Sequence, residues 1–383
     1  MSLAEAAPPL PLVRRKDAVL QRVRDVVASE LRPLAARIDA EGLYPSHVLK
    51  QLGAAGAFAQ HHEGKGEENV IDLGLAIQSM SAVAEACLST AFCTWCQDAL
   101  GWYLQNSENP GLRARFQGDV ANGAILGGTG LSNPMKALSG IEPIKLKGVR
   151  VSGGYRVDGV LPWVSNLANG HYFAFCFEAD GESLAAIARL GSDGVESRKG
   201  AEFIALEGTA TVAVGFKGAI VPDEMILSDR FTRFAGRIKP GFLLLQTGMA
   251  AGLVRNCAQL MREMPPRVRA VNAYLPIGPA ALEERLTALE SEIMALAATP
   301  FESERAYLRS VLLARLEGSR LSLDATQALM LHAGASGYLR NSAYNRRLRE
   351  SYFVAIVTPA TKHLLKELSA KPQDARKSDK KPL

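Results

Sequence analysis

Gly154-Tyr155-Arg156-Val157-Asp158-Gly159-Val160-Leu161-Pro162-Trp163-Val164-Ser165-Asn166 is the stretch on which the reading of this chain turns. It reads as a strand, a turn at Gly159 and a second strand that ends in Trp-Val-Ser. Similar short apolar or alternating runs surround it: Ala124 to Leu126, Ile144 to Leu146, His171 to Phe177, Leu184 to Arg189 and Thr211 to Phe216. Glycine-rich turns at Ser152-Gly153-Gly154 and Asp180-Gly181 separate them, which predicts an antiparallel sheet that closes near Ile220 to Glu224.

On both sides the texture is helical. Val19, Val23, Val26, Leu34 and Ile38 recur at helical spacing, with Pro33 an expected bend or break. A helix should run from Pro45-Ser46 to Leu52 and stop at Gly53. The run from Ile71 to Leu104, rich in small and apolar residues, predicts two consecutive helices buried on more than one face. Beyond the sheet, Leu282, Leu286, Leu289, Ile293 and Leu296 form a narrow stripe suited to an antiparallel bundle, and further helices are expected over Val311 to Leu331 and Arg346 to Leu368. The expected architecture is therefore α+β, with a helical domain over 1–120, a β domain over 121–235, a four-helix type bundle over 236–370 and a disordered basic tail over 371–383.

Composition narrows the function classes. The chain has 383 residues, 48% of them hydrophobic and 22% charged, as in ordinary soluble globular proteins. Of the formal charge of +5, the tail from Lys371 contributes +3, so the body carries no basic stripe that suggests nucleic acid. No apolar run approaches the ~18 to 20 residues of a membrane span, and a cytoplasmic protein is expected. Five cysteines in no framework spacing suit a reducing compartment, and Cys93-Thr94-Trp95-Cys96 reads as packed thiols inside a helix. There is no P-loop, no G-x-G-x-x-G opening a βαβ unit, no G-x-S-x-G and no H-E-x-x-H, so the usual markers of nucleotide-binding, hydrolase and metalloprotease chemistry are missing.

The stretch ending in Trp163-Val164-Ser165-Asn166 resembles the flavin-contacting segment of the acyl-CoA dehydrogenase family, approximately G-x-Y-x-x-x-G-x-K-x-W-I-T-N-G. Asp39 to Pro45, Leu52 to Phe58, Thr211 to Pro222, Met249 to Gly252, and Gly334 with Gly337 match further family segments in the same order, and Arg349-Glu350 stands where the family has Arg-Asp. The resemblance implies FAD, with FMN the alternative, wedged between the β domain and the C-terminal helices. Leu131, Ser132 and Asn133 would lie along its pyrimidine edge, Ser139 would bind phosphate, and Trp163, Val164 and Ser165 would contact the isoalloxazine. Gly334 and Gly337 would belong to the glycine-rich turn, and Trp95 would line the substrate pocket. It also implies an acyl thioester or related substrate, a homodimer or homotetramer, and an electron-transfer or flavin reductase partner.

The pattern breaks at the family's catalytic acid. Counting from Arg349, that position is Thr358, and the alternative site before Met249-Ala250-Ala251-Gly252 reads Leu243-Leu244-Leu245-Gln246-Thr247. A hydroxyl is no base near neutral pH. Three readings stay open: a dehydrogenase transferring hydride to flavin N5, a two-component flavin monooxygenase of the same fold, and a catalytically silent flavin or acyl-binding subunit. His332 and His363 flank the region as candidate proton carriers, and Glu350 is expected to cap or to pair with the Arg346-Arg347 cluster.

Overall fold

Helix α1, Leu12–Val26, runs through a π turn at Val27–Leu31 and a 3-10 turn at Arg32–Leu34 into α2, Ala35–Glu41. This computed structural model describes residues 12–61, 71–198 and 201–369; the expected tail at 371–383 lies outside them. Pro33 has no N–H to give, so the expected break takes the form of a change in winding rather than an interruption. Helix α3, Ser46–Ala54, starts behind Pro45, and α4, Leu73–Ala86, is divided from α5, Leu88–Gln105, by the extended residue Cys87. Every residue of α5 is buried, in keeping with a sequence that is mostly apolar and has Asp98 as its one acidic or basic residue. Helix α6, Pro110–Ala121, is capped by the Asn109 side chain, which accepts from the N–H of Leu112.

The sheet follows: β1, Gly127–Thr129; then, after the short helix α7, Ser132–Leu138, strands β2, Lys147–Val151, β3, Gly154–Val164, β4, Tyr172–Ala179, β5, Glu182–Arg189, β6, Val195–Arg198, β7, Val212–Pro222, and β8, Ile226–Ser228. Their order is β6-β7-β3-β2-β4-β5-β8, with β1 added parallel to β4. The antiparallel expectation holds for most pairs, but β2 and β4 are also parallel neighbours. Gly154 to Val164 is one strand and not two around a turn: the register against β7 shifts between Val157 and Gly159, and Gly159 takes a φ of 132° there. A glycine thus serves as a bulge that bends the strand toward its Trp-Val-Ser end.

The C-terminal helices are α8, Phe231–Arg262, α9, Pro266–Asn272, α10, Pro279–Ala297, α11, Arg305–Ala333, α12, Ala343–Ile356, and α13, Thr361–Ser369. The helix expected over 346–368 is therefore two, because the residue before Pro359 is driven out of the helical region. Leu282, Leu286, Leu289 and Ile293 of α10 are buried as the stripe requires. Helices α8 and α4 meet at backbone distance, since a Cβ on Gly252 would lie 2.1 Å from the carbonyl oxygen of Ser81.

Two motif segments clamp one another. Arg349 donates to the Asp39 carboxylate at 2.9 Å and to the carbonyl of Ile204, while Tyr44 donates to the Asn166 side chain at 2.6 Å. Asn166 sits at φ 59° and donates to the carbonyl of Gly127, so it locks β3 to β1 just past Ser165. Glu350 pairs with Arg347 at 2.8 Å and accepts from the N–H of Leu88, which caps α5 as well.

Candidate functional site

The end of β3, the start of α7, the segment 203–211 and the break between α12 and α13 converge on a cavity of about 950 Å³. That is at the upper end of the roughly 300 to 1,000 Å³ common for small-molecule sites. Of the residues singled out in the sequence, Trp95, Ser132, Trp163, Ser165, Thr358 and His363 line it.

The sheet side is a row of hydroxyls. Thr211 donates to Ser165 at 2.8 Å, Thr209 lies 2.8 Å from Thr211, and Thr209 donates to the carbonyl of Leu206. Across the cavity the hydroxyls of Ser132 and Thr358 are 2.7 Å apart. Trp163 remains 44% exposed and leans on Phe203 with ring centroids 5.5 Å apart. Gly128 is what lets β1 approach this row, because a Cβ there would fall 1.9 Å from the carbonyl oxygen of Ser165. Gly128→Ala is therefore expected to destabilise the protein by about 1 to 3 kcal/mol and to weaken ligand binding at the Ser165 wall; urea unfolding alongside a binding titration checks both.

The remaining candidates are placed differently. Leu131 and Val164 are fully buried and do not line the cavity. Asn133 is spent on a clamp: its amide nitrogen donates to Glu142 and to the carbonyl of Pro143, and its oxygen accepts from the N–H of Lys145. Ser139 lies outside the cavity wall and donates to Glu367 at 3.2 Å, while Lys366 donates to its carbonyl. Gly334 and Gly337 form the 3-10 turn after α11 and do not reach the cavity. The helix carries them roughly 27 Å, at 1.5 Å per residue, beyond Arg315, which is the part of α11 behind the site.

Residues not foreseen complete the wall. Phe92, Phe242 and Phe353 join Trp95 at the inner end, and Lys136, Glu142 and Lys362 supply ionisable groups beside the His363 already singled out in the sequence. Phe92 could have been found, since it lies three residues before Trp95 on the same helix face; Phe242 and Phe353 come from helices whose facing is set by packing alone. Burial works to raise the Glu142 carboxyl, but Asn133, Lys136 and Lys145 together hold it below the usual range. Burial pushes His363 down, and the charges of Lys362 and Lys136 add to that, so the ring is neutral at neutral pH. His363 is 6% exposed and its ring has no hydrogen-bond partner among the described residues, whereas the His332 ring is tied to the carbonyl of Ile277 at 2.9 Å.

Behind Thr358 lies an unusual charge. Gln246 donates to the carbonyl of Thr358 at 2.9 Å and accepts from Arg315, which also donates to the carbonyl of Val354 and to Ser319. Arg315 is fully buried with no carboxylate among these partners, and burial lowers its pKa to about 10, so it stays cationic near neutral pH. The five cysteines are all free and buried, and no cluster able to hold a metal ion occurs among the described residues. No helix among them is long and apolar enough to cross a membrane.

Comparison with known proteins agrees with this geometry. Residues 14–124 match the family model "Acyl-CoA dehydrogenase, N-terminal domain". A probable acyl-CoA dehydrogenase of Bacillus subtilis (strain 168) is 23% identical over 380 residues, covering 90% of this chain and 94% of that one. The solved glutaryl-coenzyme A dehydrogenase in complex with glutaryl-CoA superposes with a TM-score of 0.83 at 16% identity, over 98% of this chain and 99% of that one. The dibenzothiophene monooxygenase of Paenibacillus sp. A11-2 gives 0.77 at 15% identity, over 95% and 98%. The chain is thus similar to acyl-CoA dehydrogenases over 90% of its length, with Thr358, paired with Ser132 at 2.7 Å, at the position where that resemblance places a catalytic carboxylate.

Proposed function

We propose that the protein is a flavin-dependent oxidoreductase that oxidises an acyl thioester or a related carbon skeleton in the cavity between the sheet and the C-terminal helices. The observation that carries the reading is that Trp163 and Ser165 share one cavity with Ser132 and Thr358. The cavity suits a flavin in size, in its apolar wall and in its row of hydroxyls, with Lys136 and Lys362 able to face phosphate. Trp163, Ser165, Thr211 and Ser132 would hold it, and the flavin when bound supplies a hydride acceptor. Phe92, Trp95, Phe242 and Phe353 would exclude water from the substrate's reacting end. Visible titration with FAD and then FMN, followed by anaerobic addition of short and long acyl-CoA, tests the reading. Tight binding with bleaching of the flavin band is expected; weak binding without bleaching would overturn it.

His363 is the proton acceptor best suited to this cavity, because the lysines are cationic and Glu142 is a weak base held in three interactions. It must be neutral to accept a proton. Turnover should therefore fall as pH drops through its pKa, which lies below the ordinary value of about 6.5, and His363→Gln should abolish that acid limb. An unchanged limb would remove His363 from the chemistry. The lack of a free carboxylate among the described residues of the wall also favours a second reading, a monooxygenase supplied with reduced flavin by a reductase; reductase-dependent oxygen incorporation would decide for it.

A further inference from the structure

The inner end of the cavity is built from rings at fixed angles. Phe92 and Trp95 are nearly parallel, at 9° with centroids 5.6 Å apart; Phe353 meets Phe92 edge-on at 4.4 Å and Phe242 meets Trp95 edge-on at 5.0 Å. The indole N–H of Trp95 donates to the carbonyl of Phe242 at 3.4 Å, which fixes that ring and leaves it no free donor. Tyr103 backs Phe242, with ring planes 23° apart, and is itself held by Thr129 at 3.0 Å. Such a wall is ordered before any ligand arrives, so little ordering cost remains at binding.

We propose that this end is a subsite for a flat aromatic ring bearing a neutral or anionic substituent, and that it discriminates against flexible alkyl chains and against cations. A ring meets both faces and edges here, and each such pair contributes beyond the area buried. An alkyl chain gains only the area and loses rotamer freedom in a closed pocket. Aromatic boxes also attract quaternary ammonium groups, but the charges around this cavity oppose that. Glu142 is already paired with Lys136 and Lys145, Lys362 has no ion-pair partner among the described residues, and Arg315 adds an uncompensated cation behind Thr358. The field at the site is positive, which leaves room for a carboxylate or thioester oxygen on the ring's substituent.

This inference rests on the cavity being the substrate site, and its test needs no flavin and no turnover. Phenylacetate, cyclohexylacetate and octanoate have equal carbon counts and the same charge; their dissociation constants are measured by calorimetry on the whole chain, beside benzyltrimethylammonium. Phenylacetate is expected to bind at least tenfold tighter than the other two acids, with the cation weaker than all three. In Phe92→Leu, and in the less buried Phe353→Leu should the first fail to fold, the tenfold preference should shrink toward unity. Equal binding, a preference for octanoate or the cation, or no binding of any acid would overturn the subsite. A protein that ranks the acids as expected but takes no flavin keeps the subsite and loses the oxidoreductase reading. One that binds flavin without ranking them loses the subsite alone.

Discussion

Thr358→Glu should raise acyl-thioester-dependent flavin reduction by about 10²-fold or more, the usual contribution of a positioned base. Thr358 lines the cavity at 9% exposure, and its backbone is pinned by Gln246, so a longer side chain at this position projects from a fixed anchor. Lys136, Lys362 and the buried Arg315 favour the ionised carboxylate there, since nearby positive charge stabilises it. The rate of anaerobic bleaching of the flavin band reads the effect, with Thr358→Gln as the control of equal size. No gain in a folded, flavin-binding Thr358→Glu protein would show that the reacting carbon lies elsewhere in the cavity.

Arg347→Met is expected to cost about 3 to 5 kcal/mol, the range for removing one partner of a buried ion pair. Arg347 is 1% exposed and donates to Asn256, to the carbonyls of Ala84 and Glu85 and to Glu350. Its loss strands two carbonyls and leaves the Glu350 carboxylate only the more distant Arg346, 3.8 Å away, as an ion-pair partner at the point where α4 gives way to α5. Adding Glu350→Leu should recover much of the loss, because that charge is then gone, and a double-mutant cycle in urea measures the recovery. A cost below about 1 kcal/mol would mean that water reaches this network.

How much of this was legible in the sequence depended on whether a signal was local. The helices around a sheet were, because α10 and α5 carry their burial in their own residue patterns, and the Trp-Val-Ser-Asn run marked the sheet side of the cavity. Helix α7 was not, because Asn133-Pro134 has the texture of a turn, and β6 was not, because only Val195 of its four residues is buried. Pro359 did hold the signal that divides α12 from α13, and the helical periodicity of Arg346 to Leu368 overrode it. Phe242 and Phe353 could not be read as cavity residues, since nothing in a helix's own spacing says which of its neighbours leaves a gap. Ser139 and the glycine pair show the converse: a motif can be present while its serine engages another partner and its glycines turn the chain away from the cavity.

The closure of the cavity by the break before α13 has a kinetic consequence. Ser132 and Thr358 are 226 residues apart in sequence, and Trp95 and Phe242 are 147 apart, so no early, local stretch of chain contains the site. Long-range closures of this kind come late in folding, since the loop entropy must be overcome before their contacts form. The helical hairpin of α4 and α5 and the antiparallel pair of β4 and β5 can each assemble from neighbouring residues. The cavity is complete only after Thr361 to Leu365 have docked, so its wall opens when the final helix detaches.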